Sequence, residues 1–111
     1  MIGKFKAKHE ELAKSKLPAD DVAKLLKAGA FLVDVRPKIQ ARMGMAPGAT
    51  NISIFTLKRR LDELPRDRKI VLYCHSGAAA GKAKQFLDAR GFKAFNAGSY
   101  KDVLKIVGAR G

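Results

Sequence analysis

At 111 residues the chain is long enough for one modest hydrophobic core and too short for two. One cysteine excludes an internal disulfide, two histidines far apart in sequence offer no metal-ligand spacing, and no apolar run reaches membrane-spanning length or resembles a secretory signal. The expectation is a soluble, cytoplasmic, single-domain protein with no metal, no cofactor and no membrane partner.

The charge balance says more. With 23 Lys+Arg against 10 Asp+Glu, a formal net charge of +13, the chain carries a positive field that draws in small oxyanions, acidic proteins or nucleic acid. No RNA-binding motif or aromatic platform accompanies the charge, which disfavours nucleic acid. A solvated basic surface serving solubility accounts for it equally well.

Residues 1–16 carry Lys4, Lys6, Lys8, Lys14 and Lys16 around a thin apolar series and read as a basic N-terminal extension or peripheral helix. Pro18 in a first turn, Asp20 and Asp21 at the positive end, and Val22, Leu25 and Leu26 on one face predict a helix that Gly29 closes. Ala30 to Val35 is a nearly continuous apolar run, the pattern of a central strand, and it ends in polar Asp34 and Arg36. Pro37 to Met45 predicts a short helix or irregular connection, Pro47-Gly48 a turn, and Ala49 to Ile54 a short extended piece. Leu57, Leu61 and Leu64 mark one face of a helix ended by Pro65, with Ser53 or Thr56 available as cap.

Ile70 to Tyr73 reads as a buried strand that breaks at Cys74, and a helical pattern resumes after His75-Ser76-Gly77-Ala78-Ala79-Ala80. Such a strand-loop-helix turn suits an anionic sulfur. Successive N–H groups of a tight loop of small residues can form an anion nest, and the following helix presents its positive end. The dipole alone contributes roughly 0.3–1 kcal/mol, so the loop amides must supply most of the effect. Ala79, Ala83, Phe86 and Leu87 share a face of the helix, and Gly81 in its first turn predicts a close approach of backbone or ligand, or tight packing on the sheet. Phe92 to Asn96 predicts a fourth strand. Ser99 and Asp102 have capping-box spacing ahead of a last helix whose apolar face is Tyr100, Val103, Leu104 and Val107. Alternating strands and helices predict a parallel sheet covered on both faces, with the polar ends of the Asp34 and Cys74 strands facing one site.

Three stretches are recognisable: Leu32-Val33-Asp34-Val35-Arg36, Gly44 to Ile52 (GMAPGATNI), and Ile70 to Gly77 (IVLYCHSG). On these residues, from about Leu17 to Val107, the chain resembles a single-domain rhodanese, a sulfurtransferase module. The resemblance implies an α/β fold with a small open, mostly parallel sheet flanked by helices on both faces, and it sets residues 17–111 as the domain. It also implies that Cys74 takes sulfane sulfur from a donor such as thiosulfate or a persulfide, holds it as a persulfide, and releases it to cyanide or a thiol acceptor. His75, Ser76, Gly77, Ala78 and Ala79 would surround the persulfide with backbone N–H groups, and Asp34, Arg36 and Lys82 would support the site, Lys82 by lending charge or else facing solvent. His75 stands as a local electrostatic or passive loop residue, and Tyr73 as core.

The chain departs from the family pattern in four places. Ala79 stands where the loop commonly carries arginine, His75 where a basic residue often follows the cysteine, Gln40 where an acidic residue is usual, and Met45 where histidine is frequent. Loss of the arginine removes a rigid fork suited to an oxyanion donor. The alternative function is accordingly a catalytically weak persulfide carrier or a binding module for an acidic partner. A phosphatase or arsenate reductase would need a longer anion loop closed by arginine, which Ala78-Ala79-Ala80-Gly81 does not provide.

Overall fold

A computed structural model of the chain describes residues 10–108; residues 1–9, and with them most of the basic extension, lie outside it, as do residues 109–111. After a helical stretch at residues 10–14 the elements run α1 (Ala19–Lys27), β1 (Phe31–Asp34), α2 (Lys38–Ala41), β2 (Thr50–Asn51), a 3-10 helix (Leu57–Glu63), β3 (Ile70–Cys74), α3 (Ala78–Asp88), β4 (Ala94–Ser99) and α4 (Tyr100–Val107). The strands form one sheet in the order β2-β1-β3-β4, every pair parallel. Among the described residues no helix is long and apolar enough to cross a membrane.

The period-2 alternation of β3 divides the core. Ile70, Leu72 and Cys74 face one side, where they pack with Leu57, Leu64, Ala80, Ala83 and Leu87; Val71 and Tyr73 face the other, against Val22, Ala46 and Val103. All five β3 residues are buried, so the strand is apolar on both faces as a central parallel strand must be. Consequently Cys74 emerges under the N-terminus of α3, while Tyr73 points to the opposite layer.

Local chemistry explains where the elements stop. Gly29 adopts φ +95 directly after the α1 cap, the left-handed turn that lets the chain reverse into β1. Pro18 is the N-cap of α1 rather than a residue of its first turn. At α4 the capping box is complete: Ser99 Oγ accepts from the Asp102 N–H at 3.1 Å, and the Asp102 carboxylate accepts from the Ser99 N–H at 3.0 Å. That amide, helped by Lys16, holds the Asp102 carboxyl below its ordinary value against the opposing effect of burial. A folded-state value below the unfolded one means that this contribution is present above the usual carboxylate range and is lost as the pH falls through it.

Two elements differ from the sequence expectation. Leu57–Glu63 is a 3-10 helix kinked at Arg60 (φ −119, ψ 23) that ends at an extended Leu64, and neither Ser53 nor Thr56 caps it in the expected way. Thr56 Oγ1 donates back to the Ser53 carbonyl instead, and Arg60 forms a bidentate pair with Glu63 three residues on, a spacing that the tighter helix eclipses. The fourth strand begins at Ala94, two residues later than expected, because the Phe92 N–H still bonds the Leu87 carbonyl and its side chain fills the core beside α3.

Candidate active site

The connection leaving β1 packs Ala46 and Ala49 on one face of the sheet, whereas those around β3 pack Leu57, Leu64 and Ala80 on the other. A crevice therefore opens between the carboxyl ends of β1 and β3, the place where open parallel sheets bind ligands. It holds a pocket of about 170 Å³ walled by Val35, Arg36 and Pro37 after β1, by Gln40, Ile54 and Phe55, and by Cys74, His75, Ser76 and Ala79. Larger hollows beside α1 and at its junction with α4 contain neither thiol nor histidine.

Cys74 sits at the pocket floor, only 3% exposed and with a free thiol. Its Sγ accepts the Gly77 N–H at 3.0 Å and the Ala80 N–H at 3.3 Å. Gly77 caps α3 with φ +93, a left-handed turn that folds the loop back over the sulfur and that a side chain would strain. Among the described residues the N–H groups of His75, Ser76 and Ala79 meet no acceptor. The cysteine thus lies in a short cradle of amide donors at a helix N-terminus, suited to an anionic sulfur species. His75 and Ser76 are exposed at the rim, Ala78 is buried, and Ala79 is half-buried with its side chain on the pocket.

Asp34 and Arg36 come together beside the pocket, turned toward each other. The Arg36 guanidinium is bidentate on the Asp34 carboxylate, with Nε and Nη2 at 3.0 and 2.7 Å from Oδ2, and Nη2 also donates to the Gly44 carbonyl. The same guanidinium stacks 4.2 Å from the Tyr100 ring. Tyr73 donates its hydroxyl to Asp34 Oδ2 at 2.9 Å and accepts the Ala46 N–H. Burial pushes the Tyr73 phenol far above its ordinary value, so it remains a proton donor throughout the working range. The Asp34 hydrogen bond raises the Arg36 guanidinium despite its burial. Arg36 is consequently committed to the scaffold. Lys82 is exposed on α3 and is not among the residues that line the pocket.

A second support lies behind the loop. Asn96, fully buried in β4, donates through Nδ2 to the Gly77 carbonyl at 2.9 Å, to Ser15 Oγ at 3.0 Å and to the Leu12 carbonyl at 3.3 Å, and its Oδ1 accepts the Gly98 N–H. One amide side chain therefore ties the cysteine loop to the segment preceding α1. Gly81 is the contact point with that segment: a Cβ there would lie 2.3 Å from the Leu12 carbonyl oxygen. The close approach expected at Gly81 is thus one of backbone, from residue 12.

The Rhodanese-like domain model matches residues 18–105. This chain belongs to the rhodanese-like domain family. It is 36% identical over 62 residues to a sulfurtransferase of Allochromatium vinosum, covering 56% of this chain and 58% of that protein. Over 66 residues it is 32% identical to a putative sulfurtransferase of Bacillus subtilis, covering 60% and 64%. The matches thus span about six tenths of those relatives' length. In structure it superposes on a human single-domain sulfurtransferase with a TM-score of 0.72 at 26% identity, over 82% of this chain and 96% of that one.

In this rhodanese-like domain the residues that sequence reasoning missed are Asn96, read only as the end of a strand, and the pocket walls Ile54 and Phe55. The available signal for Asn96 was a lone amide inside an otherwise apolar strand. Gly81→Ala should displace Leu12 and cost about 1–3 kcal/mol, the range for overpacking. Thermal unfolding together with hydrogen exchange at the Leu17 amide, which bonds Asn96 O, reads the effect; an unchanged midpoint and unchanged exchange would show that residue 12 yields freely.

Proposed function

We propose that this protein moves sulfane sulfur through a persulfide on Cys74. The observation that supports it is the cradle: a buried thiol at the head of α3 with two N–H donors on its sulfur and three more loop amides that meet no acceptor among the described residues. The Cys74 thiolate attacks the sulfane sulfur of the donor, the Sγ–S bond forms, and the donor's S–S bond breaks with its electron pair leaving on the donor fragment, sulfite when thiosulfate is used. The loop amides receive the negative terminal sulfur. Cyanide then takes that sulfur as thiocyanate and Cys74 departs as thiolate.

Donor choice follows from the charges at the pocket. Arg36 is paired, Lys82 lies off the wall, and Ala79 replaces the fork that would grip a dianion. A persulfide donor is therefore favoured over thiosulfate. Ala79→Arg should raise kcat/KM for thiosulfate about tenfold or more, the worth of one charge-assisted hydrogen bond, and leave a small persulfide donor within about twofold. Equal gains for both donors would refute the assignment of the deficit to the missing cation.

The test of the function itself is the intact mass of the protein before and after a donor, then after cyanide. A gain of one sulfur on Cys74 that cyanide removes as thiocyanate is expected with a persulfide donor. No gain from any sulfane donor would reject the reading and favour the second one, a binding module for an acidic partner, which the net charge of +13 supports.

A further inference from the structure

The three large hydrophobic side chains left well exposed among the described residues, Ile39 at 75%, Phe55 at 81% and Met43 at 88%, all belong to the two segments that wall the Cys74 pocket. Exposed apolar side chains scattered singly need no explanation; here Phe55 lines the pocket, and Ile39 and Met43 flank its wall residue Gln40 in the chain. The same segments carry charge of one sign. No Asp or Glu occurs between residues 35 and 61 or between residues 68 and 87. Lys38, Arg42, Lys58, Arg59 and Lys82 are exposed there, and among the described residues none of them is in an ion pair.

The placement of these cations distinguishes a small anion from a large one. A small oxyanion needs cations inside the pocket, where the guanidinium of Arg36 is already taken. Cations outside, around an aliphatic and thioether rim, meet the carboxylates of a macromolecule. Of the three, only Phe55 offers a ring; Ile39 and Met43 offer none, and a lone aromatic is no platform for successive stacked bases, so the rim suits a protein over a nucleic acid. Resting on the sulfurtransferase reading, we infer that this face docks an acidic protein whose cysteine is the acceptor of the Cys74 sulfur. With Cys74 3% exposed at the pocket floor, that cysteine stands on a protruding segment. Its thiol sulfur attacks the terminal persulfide sulfur and forms the new S–S bond. The Sγ–S pair returns to Cys74 as thiolate, and the thiol proton ends on the transferred sulfur, with no net oxidation.

The test loads the full chain with sulfur from a persulfide donor and times unloading, by intact mass, to three acceptors. These are a cysteine peptide flanked by Asp, Glu and Leu, the same peptide with Lys for each acid, and cyanide. The acidic peptide should be sulfurated at least tenfold faster than the lysine peptide at low salt, the advantage shrinking as salt screens it. Lys38→Glu with Arg42→Glu and Lys58→Glu should cut the advantage to twofold or less, and separately Ile39→Ser with Met43→Ser should slow unloading to the acidic peptide at least fivefold, each with the cyanide rate unchanged. Equal peptide rates, or unloading to the acidic peptide that neither variant slows, would overturn the docking inference while cyanide release keeps the sulfurtransferase reading intact. So would a single-stranded RNA oligonucleotide bound through the three cations where the acidic peptide is not preferred. Failure of loading or of cyanide release sinks both.

Discussion

Cys74→Ser is expected to lower sulfur transfer at least about a thousandfold, since a hydroxyl supplies no nucleophile comparable to a thiolate and cannot hold sulfane sulfur. The fold should survive. Sγ is buried and accepts N–H groups from Gly77 and Ala80, and a serine oxygen accepts the same donors with a small loss of volume. The unfolding free energy should therefore fall by no more than about 1–2 kcal/mol, the range for removing a small part of a packed side chain. Thiocyanate formation from a persulfide donor, measured beside a denaturant titration, separates the two effects. Residual turnover above about one per cent would move the sulfur-carrying role off Cys74.

Arg36→Leu has the largest expected effect on stability. The Arg36 side chain is 7% exposed and that of Asp34 is fully buried, so removing the guanidinium strands a carboxylate that, among the described residues, keeps only the Tyr73 hydroxyl and the Arg36 backbone N–H as donors. Breaking a buried pair from one side costs about 3–5 kcal/mol. For a domain of this size that lowers Tm by about 12–25 °C. Adding Asp34→Asn should recover part of the loss, because the uncompensated charge is gone and the two sites are in direct contact. A drop of Tm under about 5 °C, or strictly additive losses, would show that the pair does not hold the β1 end to Gly44 and Tyr100. At a temperature where the variant is folded, sulfur transfer per folded molecule should stay within a few-fold of the parent, since Arg36 is a positioning residue.

Strand and helix identities were legible wherever the signal was local. Four consecutive apolar residues before Cys74, the Ser99 and Asp102 spacing, and Gly29 after the leucines of α1 each express a short-range rule, and the elements appear where the rule puts them. Leu57 to Leu64 escaped because its leucine spacing serves a 3-10 helix as well as an α-helix; the kink at Arg60 and its pairing with Glu63 decide between them. Membership in the rhodanese-like family was legible too, through motifs clustered at the strand ends, because a cysteine loop of small residues between strand and helix tolerates few sequences.

By itself, then, the sequence determined the parallel α/β sheet, the single cysteine at a strand end, and a strong positive charge. Alternation along β3 even assigns Cys74 and Tyr73 to opposite faces, since side chains two apart in a strand share a side. Only the tertiary structure decided what each charge and amide does. Arg36 could have faced substrate, but Gly44 and Tyr100, brought near by the β1 connection and α4, claim it. Asn96 meets Leu12 and Gly77 across sequence separations of 84 and 19 residues, contacts that no local pattern encodes because they exist only when β4 lies beside β3. The acid-free stretches from 35 to 61 and from 68 to 87 are visible in the sequence, yet they become one basic, apolar-rimmed mouth only where the order β2-β1-β3-β4 sets the ends of β1 and β3 side by side.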